Sequence, residues 1–195
     1  MRINPNYLPD DLQSNKYATL MEWNNVDYQP KSKRFYKTSN PVRICVVQYM
    51  MRQIKSFEDL AHQVEYFTDV ASDAGSDFAV FPEIFTTQLM SFMDEKSPSL
   101  AVRRVTEYTE QYIELFTDLA VRYNVNIIGG SHLVKEDNDE IYNISYLFRR
   151  DGTIDKQYKL HITPNERRWW GISRGDELKV FDTDCGKIAI QICYD

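Results

Sequence analysis

The sequence is poor in cysteine, with only Cys45, Cys185 and Cys193 among its 195 residues, an odd number with no CxxC pair. That argues against a disulfide framework or a thiolate zinc site, and it fits a reducing compartment. Histidine is equally scarce: His62, His132 and His161 lie far apart, without an HExxH pattern or an acidic cluster, so no metal ion is expected. No apolar run approaches the ~18 residues needed to span a bilayer, and the first residues lack the apolar stretch of a signal peptide. The expected location is the cytoplasm. Positive charge is in deficit, with 23 Lys and Arg against 29 Asp and Glu, for a net charge of −6. Such a surface repels phosphate backbones, so neither nucleic acid nor an anionic membrane is an expected partner, and small molecules are. Internal repeats, heptads and low-complexity tracts are also missing.

What is present suits a soluble globular chain: 43% hydrophobic and 27% charged residues, enough to bury a core. Residues 1–40 stand apart, punctuated by Pro5, Pro9 and Pro30, with little apolar periodicity. They read as a linker or arm, and the basic run Lys31 to Arg34 as its solvated face. From Val42 to Gln48 the texture becomes β-branched and apolar, as in a strand buried on both faces. Ser56 and Asp59 form a capping spacing, followed by Phe57, Leu60, Ala61, Val64, Phe67 and Ala71 at helical intervals, which predicts a helix over 56–74 ended by Gly75. A second strand over 77–81 implies a parallel crossover. Val105, Tyr108, Tyr112, Phe116 and Leu119 predict a second helix over 100–123, and Val125 to Gly130 a third strand. Residues 141–149 and 153–160 flank Asp151-Gly152 as a hairpin, 161–177 look irregular, and 178–183 and 187–193 form a last strand pair around Asp184-Cys185-Gly186.

Three side chains stand at strand ends, where open α/β sheets collect functional groups. Glu83 follows DFAVF through Pro82, Lys159 ends the strand before His161, and Cys193 closes IAIQI. Each has an ordinary reading alone, as a solvated acid, a surface lysine or a small core residue. Together they make a complete set: a thiol nucleophile, a carboxylate to take its proton, and a cation to hold an oxyanion. Cys185 lies in a turn without a neighbouring base, and Cys45 lies inside a strand, so neither is a candidate nucleophile. The triplet Asn143-Ile144-Ser145 has the form of a glycosylation sequon, which matters only in a secreted protein.

From Pro41 to Asp195 the chain resembles the nitrilase, or carbon–nitrogen hydrolase, superfamily. The resemblance rests on Phe81-Pro82-Glu83, on YNISYLF followed by DGT, on Tyr158 to His161 (YKLH) and on Ile192 to Asp195 (ICYD), in that order. It implies an α/β fold, the α-β-β-α sandwich of two sheets with outer helices, in a domain over 41–195 that is incomplete at its C-terminus. It also implies a catalytic triad of Glu83, Lys159 and Cys193, a supporting Glu166, and the backbone N–H of Tyr194 as a second oxyanion donor. The activity implied is cleavage of a non-peptide carbon–nitrogen bond in a small molecule, an amide ahead of a nitrile, through a thioester and without a cofactor. Trp169 and Trp170, between Lys159 and Cys193 in the chain, are candidate substrate-pocket walls. Two other readings are open: an inactive module for assembly or ligand binding, and an acyltransferase using the same three residues. The family resemblance further implies a homo-oligomer at full length. Residues 1–40 resemble the segment that joins an acetyltransferase domain to a nitrilase-like domain in some fusion proteins, which leaves room for such a domain upstream.

Overall fold

The computed structural model describes residues 41–195, so the linker reading of residues 1–40 lies outside the described residues. Strand β1 (Ile44–Val46) opens the fold and is followed by helix α1 (Phe57–Asp73). The Ser56 hydroxyl accepts the Asp59 N–H, and the Asp59 carboxylate accepts the Lys55 N–H, so both sides of the capping spacing are used. Leu60, Val64, Thr68 and Ala71 form the buried stripe of α1. At its end Gly75 takes φ 65, a left-handed conformation that favours glycine.

Strand β2 (Phe78–Val80) then runs parallel to β1, as the crossover requires, and β3 (Asn126–Ile128) runs parallel to β2. The helix expected over 100–123 is in fact two: α2 (Pro98–Val105) and α3 (Thr109–Arg122), joined by a 3₁₀ turn at Thr106–Tyr108. The apolar period runs through the break, so the pattern does not reveal it. Strand β4 (His132–Lys135) was not expected; it is short and pairs antiparallel with the long central strand β5 (Ile141–Phe148). The hairpin expected next is present, with β6 (Ile154–Tyr158) antiparallel to β5 and Gly152 at φ 86 in the turn. The stretch expected to be irregular instead holds one π-helical turn (Glu166–Trp170) and the two-residue strand β7 (Ile172–Ser173) on β5. Strands β8 (Val180–Thr183) and β9 (Gly186–Ala189) form a separate antiparallel pair.

The seven-stranded sheet therefore has two covered faces. On one, Phe116 and Leu119 of α3 and Leu60 and Val64 of α1 pack against Ala79, Ile127, Ile144 and Phe148. On the other, Phe181, Ile190 and Ile192 of the β8–β9 segment pack on Phe78 and Leu147. Among the described residues, helices, sheet and second sheet make three of the four layers of the expected sandwich, and burial of each large side chain contributes about 2 kcal/mol. Arg150 ties the second sheet down through an ion pair of 3.1 Å to Asp184, which also accepts the Asn126 amide at 2.9 Å. One expectation fails at the sheet edge. Strand β1 is not buried on both faces: Cys45 packs into the helix-side core, but Ile44 and Val46 are 57% and 62% exposed, because the β8–β9 layer does not reach over them.

Candidate active site

Four chain segments meet at one end of the sheet. Glu83 arrives three residues beyond β2, on backbone held from below. The Ile84 N–H donates to the Ser131 hydroxyl at 2.9 Å, and Ile84 itself takes φ 39. Gly130, at φ 67, lies so close that a Cβ there would sit 2.1 Å from the Pro82 carbonyl oxygen. No other residue allows that approach, and the loop after β3 thus fixes where Glu83 points.

Lys159 follows β6 by one residue, its N–H bonded to the Asn143 carbonyl at 2.9 Å and its own carbonyl accepting from Gly175 at 2.8 Å. Its side chain is 1% exposed, which is rare for lysine and costly unless the charge is paired. It is paired twice. The ammonium donates to Glu83 Oε1 at 2.7 Å and to both oxygens of Glu166, at 2.9 and 3.0 Å. Burial works against the charge on Lys159, but the hydrogen bonds and charges of Glu83 and Glu166 outweigh it, and its pKa is raised. Burial likewise opposes ionisation of Glu166, but the Lys159 ammonium and the Thr163 N–H and hydroxyl win, and its carboxyl stays below its usual range. Glu166, Lys159 and Glu83 thus form a charge relay in which one buried ammonium is shared between two glutamate side chains.

Cys193 lies beyond the end of β9 at φ 53, a left-handed bend that turns its thiol out of the strand line. It is exposed, and it lines a cavity of about 280 Å³ together with Glu83, Ser131, Ser145 and Ile192. A hydrogen bond to Glu83, then the charge of that carboxylate, push the Cys193 thiol up. The nearby carboxylate thus favours the thiol over the thiolate at Cys193. Cys185 is a different case: burial and Asp184 push it up to about 11, so it stays inert.

Three further residues shape the site and were not singled out from sequence as site residues. Asn143, on β5, donates its amide to Glu83 at 3.0 Å and to Glu166 at 3.5 Å, bridging the same two oxygens that Lys159 holds. It lay within the quoted YNISYLF, where it read as strand. Thr163 holds Glu166, as described. Asp195, its side chain 2% exposed, accepts the N–H groups of Leu160 at 3.0 Å, His161 at 2.8 Å and Ile192 at 3.1 Å. It binds the end of the lysine strand to the cysteine bend. The other candidates are scattered: Trp169 is 55% exposed under Arg168, Trp170 packs into a satellite core with Ile172, and Tyr194 is 70% exposed. Among the described residues no group of His, Cys, Asp and Glu has the geometry of a metal site.

The chain thus brings a carboxylate, a buried lysine and a thiol to one end of a sheet that helices cover on one face. Residues 43–195 match the sequence profile of the carbon–nitrogen hydrolases, and the chain belongs to that family. It is 78% identical over 196 residues to the protein called probable hydrolase YhcX of Bacillus subtilis (strain 168), covering all of this chain and 38% of that protein. It is 29% identical over 161 residues to omega-amidase NIT2-B of Xenopus laevis, covering 78% of this chain and 55% of the relative. The chain thus spans about 38% and 55% of the lengths of these two relatives. Among solved structures, Nit3 of Saccharomyces cerevisiae, a member of branch 10 of the nitrilase superfamily, superposes with a TM-score of 0.62 at 22% identity, over 78% of this chain and 55% of the other. An amidase from Nesterenkonia sp. gives 0.63 at 17% identity, over 78% and 56%. These two share the fold. No helix among the described residues is long and apolar enough to cross a membrane.

Proposed function

We propose that this chain carries the reacting groups of an amide-directed carbon–nitrogen hydrolase. The observation that supports it most is the single ammonium of Lys159 held between Glu83 and Glu166, beside a cavity that also receives Cys193. A lysine pinned at both ends cannot act as a base; it is a fixed positive charge aimed where negative charge will develop.

In this reading Glu83 takes the Cys193 proton as the sulfur attacks the amide carbon. The carbonyl oxygen becomes an oxyanion, stabilised by Lys159 and by the Tyr194 N–H, each donor being worth ~3 kcal/mol in comparable sites. The proton on Glu83 passes to the departing nitrogen, which leaves as ammonia, and a thioester forms on Cys193. Glu83 then takes a proton from water as the water oxygen adds to the thioester carbon; the sulfur leaves and is reprotonated, and a carboxylic acid is released. Glu166 and Asn143 keep Lys159 charged and Glu83 oriented throughout. The names of the omega-amidase relatives favour amides as the substrate class. A reaction that turns on a free thiol fits the reducing cytoplasm.

The test uses the full-length natural protein that contains these residues: ammonia release from a panel of small primary amides, and mapping of the cysteine alkylated by iodoacetamide near neutral pH. Ammonia release abolished by Cys193→Ala, with Cys193 alkylated ahead of Cys185, is the expected result. No ammonia from any amide, with Cys193 labelled no faster than Cys185, would sink the reading. Product transfer to hydroxylamine without any hydrolysis would assign the acyltransferase reading instead.

A further inference from the structure

Strand β5 presents Asn143, Ser145 and Leu147 to the same face of the sheet. Asn143 touches the carboxylates and Leu147 belongs to the core under the second sheet, so Ser145 stands between the reacting groups and the interior. At the rise of a strand it lies about 7 Å deeper than Asn143. Ser145 is 1% exposed, and its buried hydroxyl has no hydrogen-bond partner among the described residues. It lines the cavity of about 280 Å³ whose rim carries Glu83 and Cys193. The rest of the lining is largely apolar, Val80, Ile128 and Ile190 among it, with Ser131, Gln191 and Glu83 as the further polar side chains. The Ser131 oxygen already accepts from Ile84, which leaves its O–H free to donate into the cavity. A buried hydroxyl in a largely apolar wall needs a partner, and a cavity many times the ~30 Å³ share of one water has room for it.

We propose that this cavity is the store of hydrolytic water, anchored by the Ser145 hydroxyl and handed to Glu83 from the inner side of the site. The inference rests on the thioester reaction above and adds where its second reactant waits. The step balances: a water held by Ser145 gives one proton to the Glu83 carboxylate while its oxygen bonds to the thioester carbon, and the C–S bond then breaks. The sulfur takes the proton back from Glu83. Ser145 holds and orients the water and is not itself consumed. Amine acceptors, arriving from the open side with the substrate, do not use this store.

Ser145→Val and Ser145→Thr have the same shape and differ in the hydroxyl. Full-length protein is acylated with p-nitrophenyl acetate, which needs no amide specificity; the burst of nitrophenolate reports acylation, the steady rate reports deacylation by water, and hydroxamate formation reports transfer to hydroxylamine. Ser145→Val should slow deacylation by water about tenfold, the kinetic equivalent of one lost hydrogen bond, with burst rate and hydroxamate formation as in the wild type. Ser145→Thr should restore deacylation. A Ser145→Val protein that deacylates at the wild-type rate overturns the proposal, and so does one that loses burst and deacylation in equal proportion, since that is a packing effect. A wild-type protein without a burst that depends on Cys193 overturns the thioester reading and this store with it, an outcome distinct from the other two.

Discussion

Replacing Lys159 by Met removes the charge and keeps the volume. In the wild type the ammonium sits 2.7 Å from Glu83 and 2.9 Å from Glu166, and Glu166 is 6% exposed. Without it a buried carboxylate keeps its Thr163 and Asn143 donors but loses its counter-charge. Removing one partner of a buried pair costs about 3–5 kcal/mol, and the remaining donors place this case near about 3 kcal/mol at pH 7. That is a large share of a domain's stability. The pH dependence carries the sign. In the wild type the raised pKa of Lys159 contributes stability below the ordinary lysine value, lost as pH rises through the raised one; the lowered pKa of Glu166 contributes stability above the ordinary glutamate value, lost as pH falls through the lowered one. In the variant the strained carboxylate is relieved by taking a proton, so the deficit should shrink to about 1 kcal/mol by about pH 5. Urea denaturation followed by tryptophan fluorescence at the two pH values reads this directly. The double variant Lys159→Met with Glu166→Gln should recover most of the stability but not the turnover, which stays down by at least about 10²-fold. A single variant as stable as the wild type at pH 7, or a double variant that regains activity, would refute the charge relay.

Gly130→Ala should leave a folded protein with turnover reduced about 10²-fold, because its Cβ would press on the Pro82 carbonyl and shift Glu83; circular dichroism and the ammonia assay separate the two effects. Asn143→Ala removes an amide shared by two carboxylates and should lower kcat about tenfold with KM little changed, the loss expected for one hydrogen bond to a charged group. His132 is stacked on Tyr112 with its Nδ1 on Thr86, and burial lowers its pKa to about 3. The unfolded chain therefore binds the extra proton between about pH 6.5 and 3, and stability should fall by about 2 kcal/mol from pH 7.5 to pH 5 on this account alone. His132→Gln should flatten that slope in denaturation curves, and parallel slopes for the two proteins would count against it.

That Glu83, Lys159 and Cys193 meet at one end of the sheet was legible because each follows an apolar run that reads as a strand, and side chains at strand ends leave the core. What holds them was not legible. The bonds that Asp195 accepts from the Leu160 and His161 N–H groups, and that Ser131 accepts from Ile84, join segments far apart in the chain, and no local pattern encodes such pairings. Asn143 was hidden for another reason: in a strand buried on both faces an amide among apolar neighbours looks like a defect until its partners are seen. Periodicity told α1 well and misjudged the helix over 100–123, since Val105, Tyr108 and Tyr112 stay on one face whether the turn between them is α or 3₁₀. It also said that β1 is a strand without saying what covers it.

Asp195 ties the lysine strand to the cysteine bend through one carboxylate, and those two ends come from different sheets. The consequence is mechanical: one buried carboxylate fixes the end of the lysine strand against the cysteine bend, so a loosened Asp195 would let the edges of the two sheets drift apart at the site.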